Sequence, residues 1–257
     1  MKNRIFVLLG CFLLLFMFFG CTSNGSGETA VNASKNSGTE LSVSGSSSTA
    51  ENSSSDMVSG REEQTSSSAT KKIIVVYFSR VGNTNFSDNV DVISSASLNV
   101  GNDGLIGSTE IVAKQIHDLV GGDLVNIQTV QPYPADYHET VQRNVDEFNA
   151  GFKPELKTKI ENMDSYDTVY IGYPTWAMNI PRPIASFLSE YDFKGKTIIP
   201  FNTNGGYGLG ETVNSIKALC QDSTILDAFQ MPGANVRDAQ EVQRAVSEWL
   251  NKIGVMK

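Results

Sequence analysis

Strand-like and helix-like segments alternate five times between Lys71 and Lys257, and this alternation restricts the fold more than any other feature of the chain. Ile73 to Phe78, IIVVYF, is an unbroken β-branched and aromatic run, the pattern of a strand buried on both faces. STEIVAKQIHDLV follows, with Ile111, Val112, Ile116, Leu119 and Val120 on one helical stripe and Gly121-Gly122 as its stop. DLVNIQ, YDTVYIGY, KTIIPFNT and the weaker STILDAF read as further strands. PADYHETVQRNVDEF, PIASFLSEY, GETVNSIKALC and DAQEVQRAVSEWL read as helices. The order predicts an α/β domain, with a five-stranded parallel sheet and helices on both faces. Such sheets bind ligands beyond the carboxyl ends of their strands. The loops after the first, third and fourth strands are therefore where chemistry is expected.

One segment interrupts the pattern. Asn85 to Gly107 is too long for an ordinary strand-to-helix loop. Its partial alternation suggests a small hairpin of Val90–Ile93 with Ala96–Val100, with a disordered insertion as the alternative.

The chain before Lys71 has a different character. Lys2 and Arg4 precede the apolar run IFVLLGCFLLLFMFFG, which is short for a membrane span and fits a signal peptide over residues 1–20. The run ends at Gly20-Cys21, which resembles the lipobox of bacterial lipoproteins, although Phe18 stands where leucine is usual. Lipid attachment at Cys21 is the expectation, with an uncleaved anchor as the alternative. Either arrangement puts the folded part on the extracytoplasmic face of the cell membrane. Residues 21–70, rich in Ser, Thr, Asn and Gly, cannot bury enough apolar surface to offset ordering and read as a flexible tether. With Cys11 in the signal and Cys21 lipidated, Cys220 stands alone, so an internal disulfide is excluded. The net charge of −8, with 22 acidic against 16 basic residues from Lys71 onward, argues against a nucleic-acid partner.

Three loops carry the candidate chemistry. SRVGNT, Ser79 to Thr84, offers hydroxyls, an amide and a glycine, and its backbone amides could form an anion nest; a plain solvated turn has the same composition. GYPTWAMNIPRP places Trp176, one of two tryptophans, just past the third strand, between Pro174 and Pro181. There it could project from the strand end and stack on a planar ligand, or fold back onto a neighbouring helix. NTNGGYGLG, Asn202 to Gly210, would let its backbone approach a ligand closely and adds Tyr207 as a second aromatic; a loose loop is the alternative.

Together, YFSRVGNT, IGYPTWAMNIPRPIASFL and PFNTNGGYGLG resemble the flavodoxins, most closely the branch found among bacterial lipoproteins and small FMN proteins. The resemblance covers about Lys71 to Lys257, and PYPADY with its helix also matches. It implies a three-layer α/β/α fold with strand order 2-1-3-4-5, one bound FMN and a monomer. It assigns Ser79, Arg80, Gly82, Asn83 and Thr84 to the phosphate. Pro174, Thr175 and Trp176 would line one face of the isoalloxazine, with Ala177 and Met178 near its reactive edge. Asn204, Gly205, Gly206, Tyr207 and Gly208 would border the other side. Two departures stand out. Arg80 replaces a small hydroxyl residue, and the insertion separates the phosphate turn from its helix, so that Gly107-Ser108-Thr109 must fold back to reach the phosphate. If they did not, Arg80 would supply the positive charge.

Three functions fit these features: an electron-transfer protein serving a redox partner at the membrane, an FMN-dependent reductase of a quinone-type acceptor fed by a membrane donor, and a binding module that has lost the flavin. His117 and His138 lack partners at ligand spacing and read as surface residues; Cys220 and Trp249 read as core.

Overall fold

The computed structural model describes residues 71–87, 90, 96–101 and 104–256. The signal segment 1–20, Cys21 and the tether to residue 70 lie outside the described residues, as does most of Val90–Ile93.

The elements follow the expected alternation. Strand β1 (Ile73–Phe78) leads into a hairpin of β2 (Leu98–Gly101) and β3 (Gly104–Gly107), then helix α1 (Ser108–Val120). Next come β4 (Asp123–Ile127), α2 (Tyr137–Asn149), β5 (Thr168–Pro174), α3 (Arg182–Glu190), β6 (Thr197–Asn204) and α4 (Thr212–Leu219). Two short strands, β7 (Thr224–Ile225) and β8 (Phe229–Pro232), precede α5 (Ala239–Lys252). The main sheet runs β4-β1-β5-β6-β7, with β8 also on β6, and every pair in it is parallel. In chain order this is 2-1-3-4-5, as expected. The fifth position is split between β7 and β8 rather than spanning Ser223 to Phe229 as a single strand. Between the two halves Asp227 turns its carbonyl to the Trp249 indole N–H at 2.9 Å, which takes it out of the ladder.

Alternate residues of the central strands feed two cores. Ile74, Val76 and Phe78 face Ile184, Phe187 and Leu188 of α3 and Ile216 of α4. Val75 and Tyr77 face Val112 and Ile116 of α1, with Val246, Trp249 and Leu250 of α5 in the same cluster. Each fully buried aliphatic or aromatic side chain contributes about 1.5–3 kcal/mol, so two filled faces hold the domain without a disulfide. Cys220 is a free, buried thiol in the first core.

The insertion does contain a hairpin, in a different register from that expected: Leu98 pairs with Gly107 and Val100 with Leu105. It delivers the chain directly into α1 and places Ala96 and Ser97 over the carboxyl edge of the sheet, where the Ala96 carbonyl accepts from Thr203 Oγ1 at 2.6 Å.

Candidate functional site

The exits of β1, β5 and β6 and the start of α1 meet at the carboxyl edge. Ser79 follows β1 and is fully buried, its Oγ accepting from Val81 N at 3.1 Å. Gly107 lies against it so closely that a Cβ on Gly107 would fall 2.0 Å from Ser79 Oγ. The fold-back required of Gly107-Ser108-Thr109 is therefore made, and glycine is what permits it. Gly107 is the N-cap of α1 and, being glycine, has no side chain to cap it. The first amide of α1, Ser108 N, donates to the Ser97 carbonyl at 3.1 Å. Thr109 Oγ1 lies 2.7 Å from Thr203 Oγ1, and Ser108 Oγ accepts from Asn99 Nδ2 at 2.7 Å.

The rest of the first loop turns the other way. Asn83 Nδ2 donates to the Ser79 and Ile127 carbonyls at 2.9 and 2.8 Å, and its Oδ1 accepts from Thr129 N at 2.7 Å. Tyr133 N reaches the Asn83 carbonyl, Thr84 bridges to Tyr133, and Gly82 packs on Asn126. Gly82, Asn83 and Thr84 thus tie the β1 exit to the β4 exit, while Ser79 lies against the α1 start. The insertion is the reason: with α1 postponed, the chain after Ser79 leaves sideways. Arg80 is 1% exposed, and its Nη2 donates to the Pro134 and Ala135 carbonyls at 2.9 and 3.0 Å and to Thr140 Oγ1 at 3.3 Å, so it reaches toward α2.

After β5 the backbone makes a tight turn. Trp176 and Asn179 exchange two backbone hydrogen bonds, 3.0 and 2.9 Å, across Ala177 at φ 46° and Met178 at φ 62°. Two successive positive-φ residues make this a type I′ turn, a conformation that favours Asn-Gly and is strained for Ala-Met. Its surroundings impose it. Glu211 N holds the Met178 carbonyl at 2.8 Å, Ser215 Oγ reaches Asn179 Oδ1 at 2.7 Å, and Gly210 admits the Met178 backbone where any Cβ would fall 2.4 Å from its carbonyl oxygen. Ala177 and Met178 are exposed as a result.

Trp176 does not project freely into solvent. It is half-buried and packs edge-to-face on Phe78 and Tyr133, with centroids 5.4 and 5.3 Å away. Its indole N–H donates to Ser97 Oγ at 3.0 Å. One aromatic ring at the end of β1 and one in the loop between β4 and α2 give it more contact than an open loop would. Burial first, and a 2.7 Å hydrogen bond to Glu147 second, push the Tyr133 phenol far above its ordinary range, so it remains a neutral donor.

The β6 exit is braced from within. Buried Asn204 accepts from Gly206 N at 2.9 Å, Asn202 Nδ2 donates to Thr175 Oγ1 at 2.6 Å, and Thr175 Oγ1 reaches the Gly208 carbonyl at 3.2 Å. Gly205 is open to solvent, and Tyr207, 81% exposed, stands clear of the loop. Pro174, Thr175, Asn204 and Gly208 are thus brought together, with Trp176 and Tyr207 as the aromatics of the two adjoining loops.

Beside Trp176, on its α2 side, is a cavity of about 280 Å³, lined among others by Arg80, Ser97, Thr140, Asn144, Trp176 and Ala177. The contributions of Ser97, Thr140 and Asn144 were not found from the sequence. Ser97 lies in an insertion of uncertain register, and α2 turns an unexpected face inward.

A phosphate-bearing flavin can be tested against these residues. Its anionic end requires amides at a helix start beside small hydroxyl residues. The 13-residue α1, with no side-chain cap and pressed onto Ser79, offers that arrangement, with the Ser97 carbonyl on one of the amides. Its ring requires exposed backbone and aromatic walls, which Ala177, Met178, Trp176 and Tyr207 offer. The residues fit.

Comparison with known proteins identifies the family. A flavodoxin family model matches residues 100–253. A solved structure from Bacteroides eggerthii, classed as a flavoprotein, is 30% identical; the match covers 72% of this chain and 99% of that one, with a TM-score of 0.54. Another from Bacteroides uniformis, classed likewise, is 26% identical, with coverages of 69% and 98% and a TM-score of 0.52. No curated protein sequence matches. The sheet order, the converging loops and these matches agree that the chain belongs to the flavodoxin family.

Proposed function

We propose that this protein binds FMN at the carboxyl edge of its sheet and passes electrons between a donor and an acceptor outside the cytoplasmic membrane, tethered through lipid on Cys21. The observation that carries the flavin reading is the meeting of the uncapped α1 start, Ser79, the strained Ala177-Met178 turn and the Asn204–Gly208 loop at one edge. Bound FMN would supply one- and two-electron redox chemistry. Ser79 with the α1 start would hold the phosphate. Pro174, Thr175, Trp176, Ala177 and Met178 would flank the ring on one side, and Asn204, Gly205, Gly206, Tyr207 and Gly208 on the other. Arg80, Gly82, Asn83 and Thr84 would support this arrangement from the β4 side.

A reduced flavin tends toward an anion, so an acidic, aromatic-walled domain disfavours it and lowers the potential. Cytosolic nicotinamide does not reach an extracytoplasmic site, so the electrons would come from a membrane redox protein or quinol. A second reading, a membrane-fed reductase of a quinone-type acceptor, is supported by the cavity beside Trp176.

The absorbance spectrum of the purified protein tests the proposal. Flavin bands, or a melt raised by added FMN, are expected. A colourless protein whose melting temperature is unmoved by FMN overturns it. Fractionation of cells producing the wild type and Cys21→Ser tests the anchor: the wild type is expected in the membrane fraction and the variant is not, and equal partition rejects lipid attachment.

A further inference from the structure

Helix α2 is built inside out. Its buried side chains are Thr140, Asn144 and Glu147, while Val141, Val145 and Phe148 are exposed at 43%, 37% and 50%. A helix that packs only to fill a core would show the reverse. Polar contacts hold it to the domain instead. Glu147 accepts from Tyr133 Oη at 2.7 Å and from Arg143 Nε at 2.8 Å. Thr140 Oγ1 donates to the Pro134 or Asp136 carbonyl, at 2.8 and 2.9 Å. Val141, Val145 and Phe148 belong to neither core of the domain. Apolar side chains that a fold leaves together on its surface mark a contact with something else.

Spacing and charge indicate what that is. Val141, Val145 and Phe148 are separated by four and then three positions, so they form one stripe along α2. This is the spacing of a seam that a second helix covers. Val141 borders the cavity beside Trp176, but Val145 and Phe148 do not, so the stripe is not part of that wall. Glu139, Arg143 and Asp146 fall on the opposite side of the helix, where they line a separate hollow. The outer flank of the stripe, His138, Gln142 and Asn149, holds no carboxylate, lysine or arginine. From Lys71 onward the chain carries 22 acidic against 16 basic residues, so two copies repel unless they meet through a neutral face. A charged partner would be met by opposite charges, and this side of α2 offers none. The stripe suits a second neutral, apolar helix, and its own copy is one. It is also self-complementary in size. When two α2 helices pack antiparallel about a two-fold axis near Val145, the Phe148 ring of each covers the smaller Val141 of the other.

We infer that this protein pairs with a second copy of itself through α2, in place of the monomer that the family resemblance implies, with Val145 beside its own copy on the two-fold axis. The contact is small, so the pairing is reversible, with a dissociation constant in the micromolar range. It does not rest on the flavin reading.

The test uses the domain from Lys71 onward, which lies within one compact unit and contains both cores. Sedimentation equilibrium over a range of concentrations is expected to show monomer and dimer in exchange, with and without FMN. Val145→Glu and Phe148→Glu are each expected to weaken the dimer at least tenfold. Their circular dichroism and melting temperature should stay close to the wild type, because neither side chain serves a core. Under mild oxidation Val145→Cys is expected to form a disulfide with its own copy, while Glu139→Cys, on the opposite side of α2, is not; Cys220 is buried and stays reduced. A wild type that remains monomeric at every concentration overturns the inference and leaves the stripe to a different protein. So does a dimer that survives both glutamate variants, or one in which Glu139→Cys cross-links as readily as Val145→Cys. If FMN does not bind but the dimer depends on Val145 and Phe148, the flavin reading fails and this one stands.

Discussion

Trp176 Nε1 donates to Ser97 Oγ across 3.0 Å, joining two residues 79 positions apart in the chain. The bond clips the insertion onto the turn after β5. With Ser108 N on the Ser97 carbonyl and Thr203 Oγ1 on the Ala96 carbonyl, it makes the insertion part of the wall of the site. A double-mutant cycle measures it. Trp176→Phe and Ser97→Ala are each expected to lower stability, with a coupling energy of about 0.5–1.5 kcal/mol in urea unfolding. Additive effects would show that the clip contributes nothing.

The Ala177-Met178 turn holds two residues at positive φ, each costing on the order of 1–3 kcal/mol. Met178→Gly relieves one and loses little packing, since Met178 is 45% exposed. It is expected to stabilise the protein by about 1 kcal/mol, raising Tm by about 2–4 °C. FMN affinity is expected to fall in the same variant, because the rigid, strained turn presents the ring contact. A higher Tm with undiminished FMN affinity would assign the strain to something other than the site.

Gly107→Ala places a methyl group on Ser79 Oγ and must push the start of α1 away from the β1 exit. At least a tenfold loss of FMN affinity is expected, measured by flavin fluorescence quenching. Most of the stability, though not the affinity, should return in Ser79→Gly/Gly107→Ala, where the obstruction is gone. Unchanged affinity in Gly107→Ala would place the phosphate elsewhere.

How far the sequence discloses these features depends on how local their causes are. The alternation of buried strands and amphipathic helices gave the parallel α/β class, while the sheet order followed from the resemblance of the three loops to the flavodoxins. Helix α1 occupies the segment read for it, since both its stripe and its Gly-Gly stop are written locally. The hairpin register was missed, although Asn102-Asp103-Gly104 is a turn signature that favours the observed pairing. The type I′ turn was invisible because Ala-Met is the wrong chemistry for it, and only the contacts from Gly210, Glu211 and Ser215 impose it. Asn144 was invisible for a related reason. A polar position on an amphipathic helix is read as solvent-facing, and α2 breaks that rule where it borders the cavity.

Arg80 illustrates a residue whose role depends on an unwritten condition. The α1 start reaches Ser79, so Arg80 is not needed to replace it; its Nη2 instead binds the two carbonyls that precede α2. Arg80→Ala is expected to cost about 3 kcal/mol of stability, from lost charge-assisted hydrogen bonds. FMN affinity is expected to fall only modestly, through the β4-side loop. A large loss of FMN affinity at full stability would restore Arg80 to the phosphate.

Alkaline pH should unfold this domain early. Burial pushes the Cys220 thiol up to about 11 from 9.0, and the Tyr170 phenol up to about 12 from 10.0. Burial first, with Glu110 adding to it, raises Tyr77 to about 12. The hydrogen bond to Asp123 does the same for Tyr166. All four are neutral when protonated, so between the two pKa values the unfolded chain has released protons that the folded chain retains. The unfolded state then binds fewer protons, and stability falls as pH rises. The loss begins near pH 9 with Cys220 and steepens above 10 as the tyrosines join, with the still more strongly raised Tyr133 and Tyr173 carrying it further. Urea midpoints measured from pH 7 to 11 are expected to be flat to about 8.5 and then to decline. Cys220→Ala should remove the earliest part of the decline and leave the tyrosine part. A Cys220→Ala profile that superimposes on the wild type after the constant loss from truncating a buried side chain would show that the thiol does not contribute to the alkaline limit.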